Sequence, residues 1–161
     1  MIHKKIIPVI KRWEEIKNEV QEDIDSGDEH EDGFWDEVSE RFRNIAITLG
    51  LKWMGAGAYK EVYSIPGVPF VIKLYDCEED VGYDSANPHL TPFEDRVVKF
   101  VYKDVMLAIQ PKVCETDRAV NIAYKRLVRK YGRNTLEEYD VHKYNVGLVG
   151  NKAMIFDYWV E

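Results

Sequence analysis

The spacing of apolar residues changes at Leu51, and this change constrains the fold more than any other feature of the chain. Before it, apolar residues recur at steps of three and four from Ile6 to Ile24 and again from Phe34 to Leu49. This is the spacing of amphipathic helices, and Gly50 follows the second run where a glycine commonly ends a helix. Residues 1–50 are therefore predicted to form a helical hairpin.

After residue 51 the chain becomes rich in β-branched and aromatic residues, interrupted by Gly-Ala-Gly at 55–57 and Pro-Gly-Val-Pro at 66–69. This pattern predicts three antiparallel strands, near residues 51–54, 60–65 and 69–75. Further along, we expect a helix over 117–131 and a hairpin around residues 150–151. The predicted fold class is α+β, with an appendage over 1–50 and a second domain over 51–161.

Two interpretations of residues 93–113 remain open. Apolar spacing after Phe93 suits a short helix followed by one buried strand over 105–110, and this is the interpretation we favour. Alternation around Val98, Phe100 and Tyr102 suits a strand that pairs with the one after it. The polar residues 76–92 are predicted to form a long loop.

Charge is distributed unevenly along the chain, whose net charge is −7. Residues 18–40 contain eleven acidic residues and no lysine or arginine, whereas the rest of the chain is slightly basic. The overall acidity argues against a general nucleic-acid binder. The acidic segment is interpreted as a solvated surface, with docking of a basic partner as the alternative.

Hydropathy and cysteine usage suggest where the protein works. No apolar run approaches the roughly 18 residues that a membrane-spanning helix needs, so no membrane association is expected. The two cysteines, Cys77 and Cys114, lack the spacing of a metal site. These features predict a cytoplasmic protein with reduced thiols.

Residues suited to phosphate chemistry stand in a fixed order along the chain. Glycines between two strands allow backbone amides to approach phosphate oxygens, and a lysine within an apolar strand supplies a positive charge. Asparagine and aspartate oxygens are ligands that Mg²⁺ prefers. The residues concerned are Gly55, Gly57 and Val62, then Lys73, then Asp140, His142 and Asn145 in the pattern D-x-H-x-x-N, and finally Asp157.

This order and spacing resemble those of the protein-kinase-like superfamily, and the D-x-H-x-x-N pattern is most similar to its small-molecule and atypical branches. The resemblance implies a glycine-rich loop over ATP formed by Gly55, Gly57 and Val62, with Lys73 on the phosphates. It also implies that Asp140 acts on the acceptor hydroxyl and that Asn145 and Asp157 bind Mg²⁺. Lys73 and Asp157 are then expected to lie close together, with Asn145 beside Asp157.

The chain also departs from the family pattern. Lys60 occupies the place of the third loop glycine, and Trp159 occupies the place of the glycine that follows the metal-binding aspartate. Glu94 is the one candidate for the glutamate that pairs with Lys73. The sequence ends at Glu161, so the resemblance implies a kinase-like small sheet with a much reduced C-terminal lobe.

Two functions follow from these observations. The first is a miniature enzyme that binds ATP and Mg²⁺ and transfers phosphate to a hydroxyl acceptor. The second is a catalytically inactive kinase-like module that acts on a partner protein through its helical and acidic surface. In both, the apolar faces of the helical hairpin are expected to pack against the strand domain or against a second copy of the chain.

Overall fold

The computed structural model describes residues 3–57, 60–77 and 92–156, and its α+β composition confirms the predicted fold class. The chain divides into two compact units, one of residues 1–81 and 101–109 and one of residues 82–100 and 110–161. The helices are α1 (Ile7–Asp25), α2 (Phe34–Ile45), α3 (Asp117–Tyr131) and α4 (Arg133–Glu138). The strands are β1 (Lys52–Ala56), β2 (Lys60–Ser64), β3 (Phe70–Tyr75), β4 (Tyr102–Lys103), β5 (Leu107–Pro111), β6 (Val146–Val149) and β7 (Lys152–Ile155).

The first unit contains a five-stranded antiparallel sheet in the order β1-β2-β3-β5-β4. β1 and β2 form the predicted hairpin, in which the Gly57 N–H donates to the Lys60 carbonyl at 2.8 Å. β2 pairs antiparallel with β3, and this register places Val62 opposite Lys73. The three strands predicted over 51–75 are therefore confirmed.

The helical hairpin packs against this sheet. This was one of the two expectations from sequence, the other being packing against a second copy of the chain. The inward faces of α1 and α2 share one hydrophobic core with the central strands of the sheet. Trp13 is fully buried at its centre, with Phe42 edge-on at 5.4 Å and Trp35 stacked at 6.4 Å between ring centroids. Residues 1–50 therefore complete the core of a sheet that is too small to bury both of its faces alone.

Asp104, in the turn between β4 and β5, ties helix α1 to the sheet. Its Oδ2 atom accepts hydrogen bonds from Trp13 Nε1 and Lys17 Nζ, each at 2.8 Å. Its Oδ1 atom accepts a third hydrogen bond from the Val105 N–H at 2.8 Å. Partial burial opposes ionisation of Asp104, but the hydrogen bonds from Lys17 and Trp13 outweigh it and lower the pKa of this carboxyl.

The second unit is built on the β6–β7 hairpin, which packs against helix α3. Thr116 caps α3 by accepting a hydrogen bond from the Ala119 N–H at 3.2 Å, and Gly132 ends the helix at a φ of 86°. The predicted helix over 117–131 and the hairpin around residues 150–151 are both confirmed. Their shared core contains Phe93, Ala123, Leu127, Leu136, Val141, Val146, Ala153 and Ile155.

The favoured interpretation of residues 93–113 was wrong in its first half. A single 3-10 turn, Glu94–Arg96, stands where a short helix was expected. Val98 then donates a backbone hydrogen bond to Ile155 at 2.8 Å, and β4 pairs with β5 as the hairpin alternative required. Packing of this extended chain onto β7 overrides the helical spacing, because short segments follow tertiary contacts more than local propensity. Most of the loop predicted over 76–92 lies outside the described residues.

Replacing Asp104 by Asn tests how strongly this carboxylate stabilises the first unit. We expect Asp104→Asn to lower the free energy of unfolding at pH 7 by about 1–3 kcal/mol, because a hydrogen-bonded charge is lost from a half-buried position. The pKa of Asp104 is lower in the folded chain, so its contribution is present above the unfolded pKa of about 3.9 and is lost as the pH falls through the folded value. The deficit should therefore shrink below about pH 4.

The measurement is thermal unfolding of both chains over a pH series, with Asp28→Asn as the control. Asp28 is exposed and has no ion pair among the described residues, so its replacement should change the melting temperature little. This account would be contradicted if Asp104→Asn caused no loss of stability at pH 7, or if the loss at pH 3 were as large as the loss at pH 7.

Candidate active site

The loop that follows helix α4 contains the D-x-H-x-x-N residues. After Glu138 the chain turns at Asp140, whose φ of 56° is the only positive value for a non-glycine residue in the described parts of the chain. Aspartate tolerates this left-handed conformation better than most residues. The next residue, Val141, is buried and donates to the Leu136 carbonyl at 2.8 Å, so the turn is anchored to the core of the second unit.

Asn145 closes this loop with both ends of its side chain. Its Oδ1 atom accepts a hydrogen bond from the His142 N–H at 2.9 Å, and its Nδ2 donates to the Asp140 carbonyl at 3.1 Å. Its own carbonyl accepts from the Phe156 N–H at 2.9 Å. Asn145 is only 8% exposed. One residue thus fixes the backbone of Asp140 and connects the loop to the end of the β6–β7 hairpin.

His142 has a structural role in the loop. Its Nδ1 atom accepts a hydrogen bond from the Tyr144 N–H at 3.2 Å, which caps the 3-10 turn Lys143–Asn145. A neutral imidazole that accepts at Nδ1 carries its proton on Nε2. The ring is exposed and contacts Tyr144 edge-on at 5.6 Å between centroids.

The carboxylate of Asp140 is the chemically available group of this loop. The residue is exposed, and its side chain has no hydrogen bond or ion pair within the described ranges. Its backbone, in contrast, is held by Asn145 and by the hydrogen bond from its own N–H to the Glu137 carbonyl at 3.1 Å. A fixed backbone that carries an unengaged carboxylate can orient, or accept a proton from, a hydroxyl group that approaches from solvent.

Lys73 lies in the first unit, within strand β3. It is 3% exposed, between Ile72 and Leu74, which are both fully buried. Lysine is almost never buried unless an anion or polar group compensates its charge. Lys73 therefore lies within a buried apolar strand, as the sequence pattern V-I-K-L predicted.

The two glycines of the predicted phosphate loop are not required by the fold itself. A Cβ atom built at Gly55 or at Gly57 would meet no atom of the described residues within 4 Å, and neither glycine has a positive φ. A register shift of β1 lies between Trp53 and Gly55, beside the loop. The missing side chains leave the backbone open to close approach by a ligand.

Gly147 in β6 is a structural requirement that the sequence prediction missed. A Cβ atom at this position would lie 2.5 Å from the Cys114 carbonyl oxygen and would also collide with a methyl group of Val113. Cys114 and Leu148 exchange backbone hydrogen bonds of 2.8 and 3.1 Å there. A glycine inside a predicted strand was the available signal, because it often marks close approach of two backbones.

A cleft of about 410 Å³ lies in the second unit beside the D-x-H-x-x-N loop. One wall is the start of α3 and the segment before it, and the other is the 3-10 turn of the loop. Tyr144 is 89% exposed at its edge. No sequence pattern predicted this cleft, which is lined by Glu115, Asp117, Val120, Asn121, Lys143 and Tyr144.

Several predicted features cannot be placed. Asp157 and Trp159 lie outside the described residues, as does the side chain of Glu94. The proximity of Lys73 to Asp157, and of Asn145 to Asp157, therefore stays a prediction. Within the described residues, no group of three or more His, Cys, Asp and Glu side chains is arranged to hold a metal ion.

Comparisons of the chain with protein-family models, curated proteins and solved structures found no match. The resemblance to the protein-kinase-like superfamily therefore rests on the residues of this chain alone. Among the described helices, none combines the length and the apolar composition that crossing a membrane requires.

Replacing Gly147 by Ala tests the close approach of β6 to residues 113–114. We expect Gly147→Ala to lower the free energy of unfolding by about 1–3 kcal/mol, because two backbone segments must separate to admit the methyl group. Gly55→Ala is the matched control. A Cβ atom at residue 55 has free space, so the free energy of unfolding of this variant should stay within about 1 kcal/mol of that of the unmodified chain. Thermal unfolding of the two variants measures the difference, and equal stability would contradict the packing described above.

Proposed function

We propose that this chain is a minimal ATP- and Mg²⁺-dependent phosphotransferase with a kinase-like fold, which transfers the γ-phosphate of ATP to a hydroxyl acceptor. The observation that carries the proposal is the D-x-H-x-x-N loop. Asn145 fixes the backbone of Asp140 through a hydrogen bond of 3.1 Å, and the Asp140 carboxylate remains exposed and unengaged within the described residues. A carboxylate held in this way is available to an acceptor hydroxyl that approaches from solvent.

Each proposed residue has a role that its chemistry supports. Phosphoryl transfer requires charge neutralisation and positioning more than covalent catalysis. The buried Lys73 supplies a positive charge for the phosphates, and the absence of side chains at Gly55 and Gly57 allows the phosphates to approach the backbone closely. Asp140 orients the acceptor hydroxyl and accepts its proton as the bond to phosphorus forms.

The donor chemistry of Asn145 and Asp157 fits Mg²⁺, which supplies charge neutralisation for the phosphates when bound. Both residues offer oxygen atoms, which Mg²⁺ prefers over nitrogen or sulfur. The Asn145 Oδ1 atom is engaged by the His142 N–H at 2.9 Å. An amide oxygen has two lone pairs, so one of them is left for a metal ion.

A second candidate is a binding module that has lost phosphate transfer. The observation that favours it is the same engagement of Asn145, because a buried side chain that already holds the loop has a structural reason to be present without any metal. In this alternative the D-x-H-x-x-N residues form a scaffold, and the protein acts through its surface. The two candidates differ in whether binding of nucleotide depends on metal and whether phosphate is transferred.

Nucleotide binding is the first test of the proposal. ATP with Mg²⁺ should raise the melting temperature. A ligand at 100 times its dissociation constant adds about 2.7 kcal/mol, and each kcal/mol raises the melting temperature by about 2–4 °C in a chain of this size. Lys73→Met should remove most of this shift, because it keeps the apolar stem and removes the charge. Asp157→Ala should remove its dependence on Mg²⁺.

Asp140→Asn serves as the control, because it keeps the size of the side chain and should leave the shift nearly unchanged. The melting temperature of each variant without ligand reports any direct effect on stability. The proposal is wrong if no adenine or guanine nucleotide shifts the melting temperature of the unmodified chain, with or without Mg²⁺.

A further inference from the structure

The outer face of helix α3 carries a row of basic side chains that have no acidic partner in this chain as described. Ala119, Ala123 and Leu127 form the buried line of the helix. Exposed bases stand away from this line, and Lys125 and Arg129 are one turn apart, where like charges repel. None of these bases has an ion pair among the described residues, and we call this set the α3 basic face: Arg118, Lys125, Arg126 and Arg129.

The helical hairpin carries acidic side chains, most of which also lack an ion-pair partner among the described residues. Ion pairs within the hairpin neutralise a few of its acids, such as Asp23 and Glu37 beside Arg41. Eight other acids are exposed and have no ion pair within the described ranges. We call them the acidic surface: Glu22, Asp25, Asp28, Glu29, Glu31, Asp32, Asp36 and Glu40.

The position of these acids is unfavourable for an isolated chain. Glu22 and Asp25 lie in the last turn of α1, which contains no basic residue. The C-terminal end of a helix carries partial negative charge, so acids there are destabilising. Helix α3 shows the favourable arrangement, with Arg129 and Lys130 in its last turn. A cationic partner at the end of α1 would relieve this repulsion.

We infer that the α3 basic face binds the acidic surface of a second copy of this chain. The two surfaces have complementary charge and are present in equal amounts whenever the protein is present. A nucleic acid fits the basic face less well, because the exposed acids and the net charge of −7 repel a polyanion. The contact pairs two different surfaces, so it is heterologous and repeats from one copy to the next. It does not depend on nucleotide binding.

Sedimentation velocity over a concentration series tests this inference. Association should be clear at about 20 mM NaCl and weak at about 500 mM, since the Debye length falls from roughly 20 Å to about 4 Å. Two charge-reversed variants are compared, Lys125→Glu with Arg129→Glu on the basic face, and Asp28→Lys with Glu29→Lys on the acidic surface. Each alone should associate at least about tenfold more weakly than the unmodified chain.

An equimolar mixture of the two variants should associate again, because each supplies the surface that the other has lost. Lys52→Glu with Lys99→Glu is the matched control. It changes the net charge by the same amount as the basic-face variant, and both lysines are exposed, so it should associate like the unmodified chain. Circular dichroism of each variant confirms that the substitutions leave the fold intact.

The other outcomes overturn the inference. The inference is wrong if the chain stays monomeric at low salt and high concentration. It is also wrong if the charge-reversed variants associate like the unmodified protein. Failure of the mixture to associate would show that general repulsion, not surface pairing, explains the single variants. Binding of a duplex oligonucleotide that is lost in the basic-face variant, without self-association, would assign that face to nucleic acid instead.

Discussion

The hydrogen bonds of the Asn145 side chain are the constraint on which the proposed chemistry depends. A buried amide with both ends engaged cannot rotate without leaving polar groups unsatisfied, so the Asp140 carbonyl and the His142 N–H are held at a fixed separation. The hydrogen bond from Phe156 to the Asn145 carbonyl extends this rigidity to the chain that leads to Asp157. The loop is thereby prepared before any ligand binds, which is the condition for catalysis by positioning.

The first unit depends on a different constraint, the covering of one face of a small sheet. Five strands cannot cover both faces with their own side chains, and the helical hairpin supplies the missing apolar layer through Trp13 and its neighbours. Asp104 holds α1 in place with two hydrogen bonds from that helix. Ile72 and Leu74 of β3 face this layer and are fully buried. Lys73, between them, lies on the opposite face of the strand and is 3% exposed.

The fold was predictable where one periodicity dominates a long segment. Helices α1, α2 and α3 each present a regular apolar stripe, and strands β1 to β3 are rich in β-branched and aromatic residues and are separated by clear turn residues. The short segment after Phe93 was not predictable, because its conformation is decided by pairing of Val98 with Ile155, more than fifty residues away. The requirement for glycine at position 147 was unpredictable for the same reason, because the atoms that exclude a side chain there belong to the distant residues 113–114.

The candidate site shows the same division. Sequence order singled out Lys73, Asp140 and Asn145, and the structure shows that Lys73 and Asn145 are buried whereas Asp140 is exposed; their roles stay a prediction. The sequence alone could not show that Asn145 supports the loop or that a cleft opens beside Tyr144, because both features depend on how α3 and the β6–β7 hairpin pack. The proximity of Lys73 to Asp157 stays a prediction, because Asp157 lies outside the described residues.

The rate of ADP formation from ATP and Mg²⁺ tests the central claim most directly, measured by chromatography with water, a panel of small alcohols and the protein itself as acceptors. The account predicts that the unmodified chain forms ADP and that Asp140→Asn, with ATP binding intact, is slower by about 10²-fold or more, the usual contribution of a positioned proton acceptor. Equal rates in the two chains, or no ADP from the unmodified chain with any acceptor, would contradict it.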